Sequence, residues 1–130
     1  MVWYLDTSAF LKLIASEDET TALRAWLSSP GHDVVWSSQL LRTEARRAGA
    51  RLGVDVDVLE DALETVSLVL PSAATFFVAG AVAPPSLRSL DALHLATALE
   101  IGDDLEGIVV YDQRLADAAR AASLEVVAPR

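Results

Sequence analysis

Acidic residues stand directly after the apolar runs of this chain, where a folded sheet would present them to a ligand. Asp6 follows Val2-Trp3-Tyr4-Leu5, and Asp112 follows Ile108-Val109-Val110-Tyr111. Glu44 lies in the first turns of a predicted helix after Trp36, and Asp91 opens another helix after Pro84-Pro85. Carboxylates brought together repel one another and lose hydration, so they persist only when protonated, paired with cations or neutralised by a hard divalent ion. Mg²⁺ or Mn²⁺ suits such oxygen donors.

Each acid also has a simpler explanation. Asp6 and Asp112 suit the N-caps of the helices that follow them, and Asp91 complements a helix dipole in a first turn. Glu44 lies at the edge of the apolar face formed by Leu40, Leu41, Ala48 and Leu52, within reach of Arg47 or Arg51 for an exposed ion pair. Asp117, farther along the last helix, reads as solvated. A nearby hydroxyl, Thr7 or Ser8, would orient the carboxylates of a metal site, and Ser8 is the better choice. His94 has apolar neighbours and reads as a hydrogen-bonded core residue with no catalytic role. Arg42, Arg46, Arg47 and Arg51 make one helix basic, which suits either a phosphate-gripping face or a solvated one.

The elements that must position these residues follow from apolar periodicity and punctuation. Short β-rich runs at 2–5, 33–36, 67–70, 108–111 and 125–127 alternate with helical patterns. Asp6-Thr7-Ser8 caps the first helix, and the second, carrying Leu23, Trp26 and Leu27, stops at Ser28-Ser29-Pro30-Gly31. Ser37-Ser38 offers caps for a helix over 40–52, and 55–66 places Val58, Leu59, Ala62, Leu63 and Val66 on one face. Residues 72–82 read as helix, Ala83-Pro84-Pro85-Ser86 as loop, and Ser89 as the cap of a helix over 90–100 that Gly102 ends. The last helix spans 113–122. Leu11, Leu13, Ile14, Leu23, Trp26 and Leu27 on the first two helices suit the core or a partner helix. This alternation predicts a three-layer α/β/α domain with a central, mostly parallel sheet, whose ligands sit beyond the carboxyl ends of its strands.

Composition narrows the field. The 130 residues suit a single domain, 1–130, and 52% hydrophobic content supplies a core. Ten Lys and Arg against 19 Asp and Glu give a net charge of −9, which repels nucleic-acid backbones unless local cations intervene. With no cysteine and only His32 and His94, a conventional structural zinc site cannot be assembled. The segment leading to Asp6 does not look like a secretory leader, and the apolar stretch at 73–83 falls short of the ~20 residues that span a bilayer. A soluble, cytoplasmic protein without membrane contact is the expectation. The chain has no Gly-x-x-x-x-Gly-Lys loop, Gly-x-Gly-x-x-Gly fingerprint or Gly-x-Ser-x-Gly elbow. A phosphoacceptor receiver domain would want a lysine after a late strand, and Lys12 is the only lysine.

Four segments, Leu5-Asp6-Thr7-Ser8-Ala9, Arg42-Thr43-Glu44, Leu90-Asp91-Ala92-Leu93-His94-Leu95-Ala96 and Val110-Tyr111-Asp112-Gln113-Arg114-Leu115, occur in the order and context of PIN domains. Over its whole length the chain resembles a VapC-type toxin of a toxin–antitoxin pair. The resemblance implies a Mg²⁺- or Mn²⁺-dependent endoribonuclease with a PIN-like α/β fold, restrained by a VapB-type antitoxin and commonly a homodimer. It maps Asp6, Glu44, Asp91 and Asp112 onto the family's acidic quartet and Ser8 onto its supporting hydroxyl. It further implies hydrolysis by a metal-activated water that leaves 5′-phosphate and 3′-hydroxyl ends. The competing expectation is a noncatalytic PIN-like binding or scaffold module, whose carboxylates serve only as caps and ion pairs.

Overall fold

A computed structural model describes all 130 residues of the chain. Its strands are β1 (Val2–Leu5), β2 (Val35–Ser38), β3 (Ser67–Val69), β4 (Leu105–Val109) and β5 (Val126–Val127). Its helices are α1 (Thr7–Ile14), α2 (Thr20–Leu27), α3 (Leu40–Leu52), α4 (Val56–Glu64), α5 (Ala73–Ala81), α6 (Ser89–Ile101) and α7 (Gln113–Ala121). Every strand pair is parallel and the order is β3-β2-β1-β4-β5. The order reverses between β1 and β4, so their carboxyl ends border the switch-point crevice where such sheets take ligands.

Alternation along β1 divides the core. Trp3 and Leu5 pack with Phe10, Ile14, Leu23, Leu41, Leu59 and Leu63 from α1 to α4. Tyr4 points to the other face, among Leu95, Ile108, Val110 and Leu115. Helices cover both faces, as a parallel sheet requires. On α1 and α2, Ile14 and Leu23 are buried and Leu11, Leu13, Trp26 and Leu27 lie partly buried against the same core. α6 is buried continuously from Ala92 to Ala98, as expected for a helix apolar on nearly every side.

The departures from the expected elements have local causes. β4 begins earlier than the apolar run 108–111, because Trp3 pairs with Gly107 and Val2 with Leu105 across a bulge. Gly107 is required there: a Cβ would meet the Glu125 carbonyl oxygen at 2.6 Å and the Trp3 ring at 2.7 Å. Beyond Val109 the β1 ladder has ended, and the Tyr111 N–H turns to Ser8 Oγ instead. In β2, Ser37 and Ser38 pair with Leu68 and Val69, so the strand runs through the serines expected as caps. Ser38 Oγ still accepts from the Leu40 N–H at 3.1 Å. Arg88, not Ser89, occupies the N-cap position of α6, and its side chain does not cap. Val58 is exposed, not on the buried face of α4. In α5 the Ser72–Thr75 capping box fixes the start, while Phe77 is 84% exposed.

Candidate active site

Asp6 sits where β1 hands over to α1, and one of its oxygens does the capping. Oδ1 accepts the Ala9 N–H at 3.0 Å and the Ser8 hydroxyl at 2.7 Å. Ser8 in turn accepts from Tyr111 N–H at 2.9 Å, tying the ends of β1 and β4 together. Burial pushes the Asp6 carboxyl up to about 6, against the opposing pull of the Ser8 and Ala9 hydrogen bonds. Such a carboxyl readily exchanges its proton for a cation. Oδ2 takes no hydrogen bond from the protein.

Glu44 reaches the same region from the first turns of α3. It makes no ion pair with Arg47 or Arg51; its Oε1 lies 2.7 Å from Nε2 of His94 instead. His94 is 1% exposed and its Nδ1 lies 2.7 Å from the Tyr4 hydroxyl. Burial drives the Tyr4 pKa up, so the phenol keeps its proton. The neighbouring Ser37 and Thr97 hydroxyls pull the other way without overcoming burial. The His94 ring thus links the Tyr4 hydroxyl at Nδ1 to the Glu44 carboxylate at Nε2. Thr7 Oγ1, 3.2 Å from Nε2, completes the set. His94 is the hydrogen-bonded core residue expected from its neighbours, but its role is to aim a site carboxylate.

Asp91, in the first turn of α6, and Asp112, capping α7 through the Leu115 N–H at 3.0 Å, are joined by a residue that the sequence did not single out. Arg88 donates from Nε to Asp91 Oδ2 at 2.8 Å and from Nη2 to Asp112 Oδ2 at 3.2 Å. The two carboxylates hold the guanidinium firmly protonated. Glu44, Arg88, Ser89, Leu90 and Asp91 line one open cleft of about 270 Å³. A run of Arg, Ser, Leu and Asp at a helix start is a sequence signal for this bridge only once the fold brings Asp112 alongside.

Oxygen is the only donor these acids offer, which suits a hard divalent ion. Asp6, Glu44 and Asp91 each keep one carboxylate oxygen free of protein hydrogen bonds, whereas both oxygens of Asp112 are engaged. No three acidic or histidine side chains close on one point as a ready cage. In this geometry the acids would hold a cation only after drawing closer together.

The arginines of α3 stand apart from this cleft. Arg42 and Arg46 pair with Glu60 at 3.6 and 3.0 Å across an exposed face. Arg46, Arg47 and Arg51 border a separate cleft of about 470 Å³ floored by Ala50, Val54, Val56 and Leu59. Asp117 bridges to Arg120 at the surface, as its solvated reading requires.

A doubly wound parallel domain with carboxylates at its switch point defines the class. The sequence matches the PIN domain family over residues 3–121, and the chain belongs to that family. Ribonuclease VapC47 of Mycobacterium tuberculosis is 40% identical over 134 residues, covering 97% of this chain and 96% of that protein. Ribonuclease VapC46 of the same species is 39% identical over 137 residues, with the same coverage of 97% and 96%. The crystal structure of M. tuberculosis VapC20, described as a toxin that cleaves the sarcin–ricin loop, superposes with a TM-score of 0.75. It is 20% identical and covers 98% of this chain and 99% of VapC20. That likeness carries the three-layer fold expected from the sequence. No helix is long and apolar enough to cross a membrane.

Proposed function

We propose that this chain is a metal-dependent endoribonuclease, the toxin of a toxin–antitoxin pair, and that Asp6, Glu44, Asp91 and Asp112 form its acidic site. The observation that carries the reading is the placement of Asp6 and Asp112 at the ends of adjacent strands β1 and β4, with Glu44 and Asp91 lining one cleft beside them. Ribonuclease relatives of near-equal length support the activity. Asp6, Glu44 and Asp91 would hold Mg²⁺ or Mn²⁺ through their free oxygens, with Asp112 orienting the site through Arg88 and the start of α7. Bound there, the ion supplies charge neutralisation, a lowered pKa for water and stabilisation of phosphoryl oxygens.

The protein's own part is positional. Ser8 and the Ala9 N–H fix Asp6, His94 fixes Glu44, and Arg88 fixes Asp91 relative to Asp112. Arg47 and Arg51, exposed and without ion pairs, supply backbone contacts for RNA that is otherwise repelled by the net charge of −9; Arg42 and Arg46 do so less, being engaged by Glu60. A VapB-type antitoxin would restrain the enzyme, and the exposed Phe76 and Phe77 of α5 suit a homodimer contact.

The deciding experiment incubates antitoxin-free protein with total RNA and Mg²⁺ or Mn²⁺, beside EDTA and Asp91→Asn controls, and maps new 5′-phosphate ends. Discrete ends lost in both controls are expected. Identical profiles for wild type and a folded Asp91→Asn protein would favour the noncatalytic scaffold.

A further inference from the structure

We propose that Arg88 is a catalytic residue of this site: its guanidinium, held by Asp91 and Asp112, grips a non-bridging oxygen of the scissile phosphodiester. The inference rests on the ribonuclease reading and assigns the group that receives the substrate's negative charge.

The geometry gives Arg88 two carboxylate partners that stand at the starts of different helices. Arg88 stands at the N-cap of α6 with extended backbone, φ −62° and ψ 148°, which sends its side chain back over the start of the helix. Nε binds Asp91 on the same helix and Nη2 binds Asp112 at the start of α7. A guanidinium carries five N–H donors in a rigid plane, so two of them fix its orientation and three remain. The side chain is 62% exposed and lines the open cleft, with no protein partner for the remaining donors. A planar fork with free donors matches the tetrahedral oxygens of a phosphodiester.

Electrostatics require a cation in this position. The cleft is bordered by Glu44 and Asp91 in a protein of net charge −9, and Arg88 is the only basic residue lining it. Most of the other cations are engaged or border another cleft, and Arg114 lines a neighbouring cleft with Pro84, Ser86 and Leu87. Lys12 binds Glu17 and Glu19, Arg42 and Arg46 bind Glu60, Arg120 binds Asp117, and Arg130 approaches Glu19. Arg46, Arg47 and Arg51 of α3 border a cleft that shares no residue with this one. A phosphate drawn toward the acids meets Arg88 first, and hydrolysis increases the charge on its oxygens, so the grip strengthens as the reaction proceeds.

The rival role is a simple counter-cation that keeps Asp91 and Asp112 from repelling and gives way when metal binds. The two roles diverge in Mn²⁺ titration calorimetry and in single-turnover cleavage of an oligoribonucleotide spanning a mapped site. Wild type, Arg88→Ala, Arg88→Lys and Arg88→Gln are compared, each first checked by circular dichroism and thermal melting. We expect Arg88→Ala to bind Mn²⁺ at least as tightly as wild type yet cleave about 100-fold more slowly at saturating Mn²⁺. Arg88→Lys, with charge but no fork, recovers only part of that loss, and Arg88→Gln, which keeps hydrogen bonds to the aspartates, recovers none. Wild-type turnover by Arg88→Ala at saturating Mn²⁺, with tighter Mn²⁺ binding, identifies a counter-cation and overturns the inference while leaving the ribonuclease reading intact. Loss of turnover that merely tracks lost Mn²⁺ binding also overturns it. A wild-type protein that binds Mn²⁺ but cuts no RNA defeats the ribonuclease reading, and the assignment of Arg88 falls with it.

Discussion

The two halves of the acidic site are built by opposite means. Asp6 and Glu44 are held from inside the protein by buried hydrogen-bonding groups: a serine hydroxyl, a backbone N–H, and a histidine aimed by a tyrosine. Asp91 and Asp112 are joined by one solvent-facing cation, Arg88, with Asp112 also accepting from the Leu115 N–H. Burial raises the Asp6 carboxyl, so the inner half favours an incoming cation. An exposed ion pair contributes only ~0–1 kcal/mol, so the outer half can rearrange at little cost. The site thus joins a fixed wall to an adjustable one.

Breaking either half at a proposed ligand should have the largest effect. Asp6→Asn and Asp91→Asn should each reduce RNA cleavage by about 1,000-fold or more, the scale expected when a group acting on the transition state is lost. Asparagine remains a good N-cap, so Asp6→Asn should stay folded. Single-turnover assays with Mn²⁺ calorimetry check this. Near-normal cleavage by either variant would remove that half from the chemistry.

The inner half also predicts a pH signature through Asp6. Asp6 is raised from an ordinary 3.8 to about 6 in the folded state. Between those values the native protein keeps a proton that the unfolded chain has released, so its contribution to metal-free stability is full below the lower value. That contribution is lost as pH rises through the upper one, by about 3 kcal/mol at most. Urea melts in EDTA should show the stability of wild type relative to Asp6→Asn falling between pH 4 and 7. Mn²⁺ binding should release protons over the same range and tighten as pH rises. A pH-independent difference between the two proteins would mean that Asp6 is not charge-strained.

Removing the supports beneath the inner carboxylates should have smaller effects. His94→Ala strands a buried Tyr4 hydroxyl and frees Glu44, for about 1–3 kcal/mol of stability and about 10–100-fold in activity. Ser8→Ala removes a bond to Asp6 and one from Tyr111 N–H, for about 1–2 kcal/mol and roughly 10-fold. Thermal melts and cleavage rates check both. Equal losses in both variants would contradict the greater burial of the histidine network.

Local and long-range signals separate what the sequence revealed from what it hid. The caps at Asp6 and Asp112 and the supporting Ser8 were legible because each bonds within three residues. The parallel three-layer fold was legible because apolar runs alternate with helical periods. β4 was misplaced because Glu106 and Gly107 interrupt its hydrophobic pattern, while the Gly107 that Trp3 demands is visible only once the strands pair. Glu44 was assigned arginine partners along its own helix, yet its partner His94 lies 50 residues away. The Arg88–Asp112 bridge spans 24 residues and joins two helices, so no local rule could reach it.

The gentlest perturbation tests whether the arginines of α3 belong to the site at all. Arg47 and Arg51 carry the same charge as Arg88, but they border a different cleft and touch no carboxylate of the acidic group. If they hold RNA only by its backbone, their contribution is uniform along the strand and unrelated to the transition state. Arg47→Ala with Arg51→Ala should then raise KM a few-fold and leave kcat unchanged. The pair should also lower the slope of log affinity against log salt by about 1.4, at about 0.7 per single-strand phosphate contact. Fluorescence anisotropy across a salt series, set beside single-turnover rates, measures both. A fall in kcat without a change in salt slope would make the helix part of the catalytic wall. An unchanged slope and unchanged KM would return it to an ordinary solvated face and leave Arg88 as the sole cation that meets the substrate.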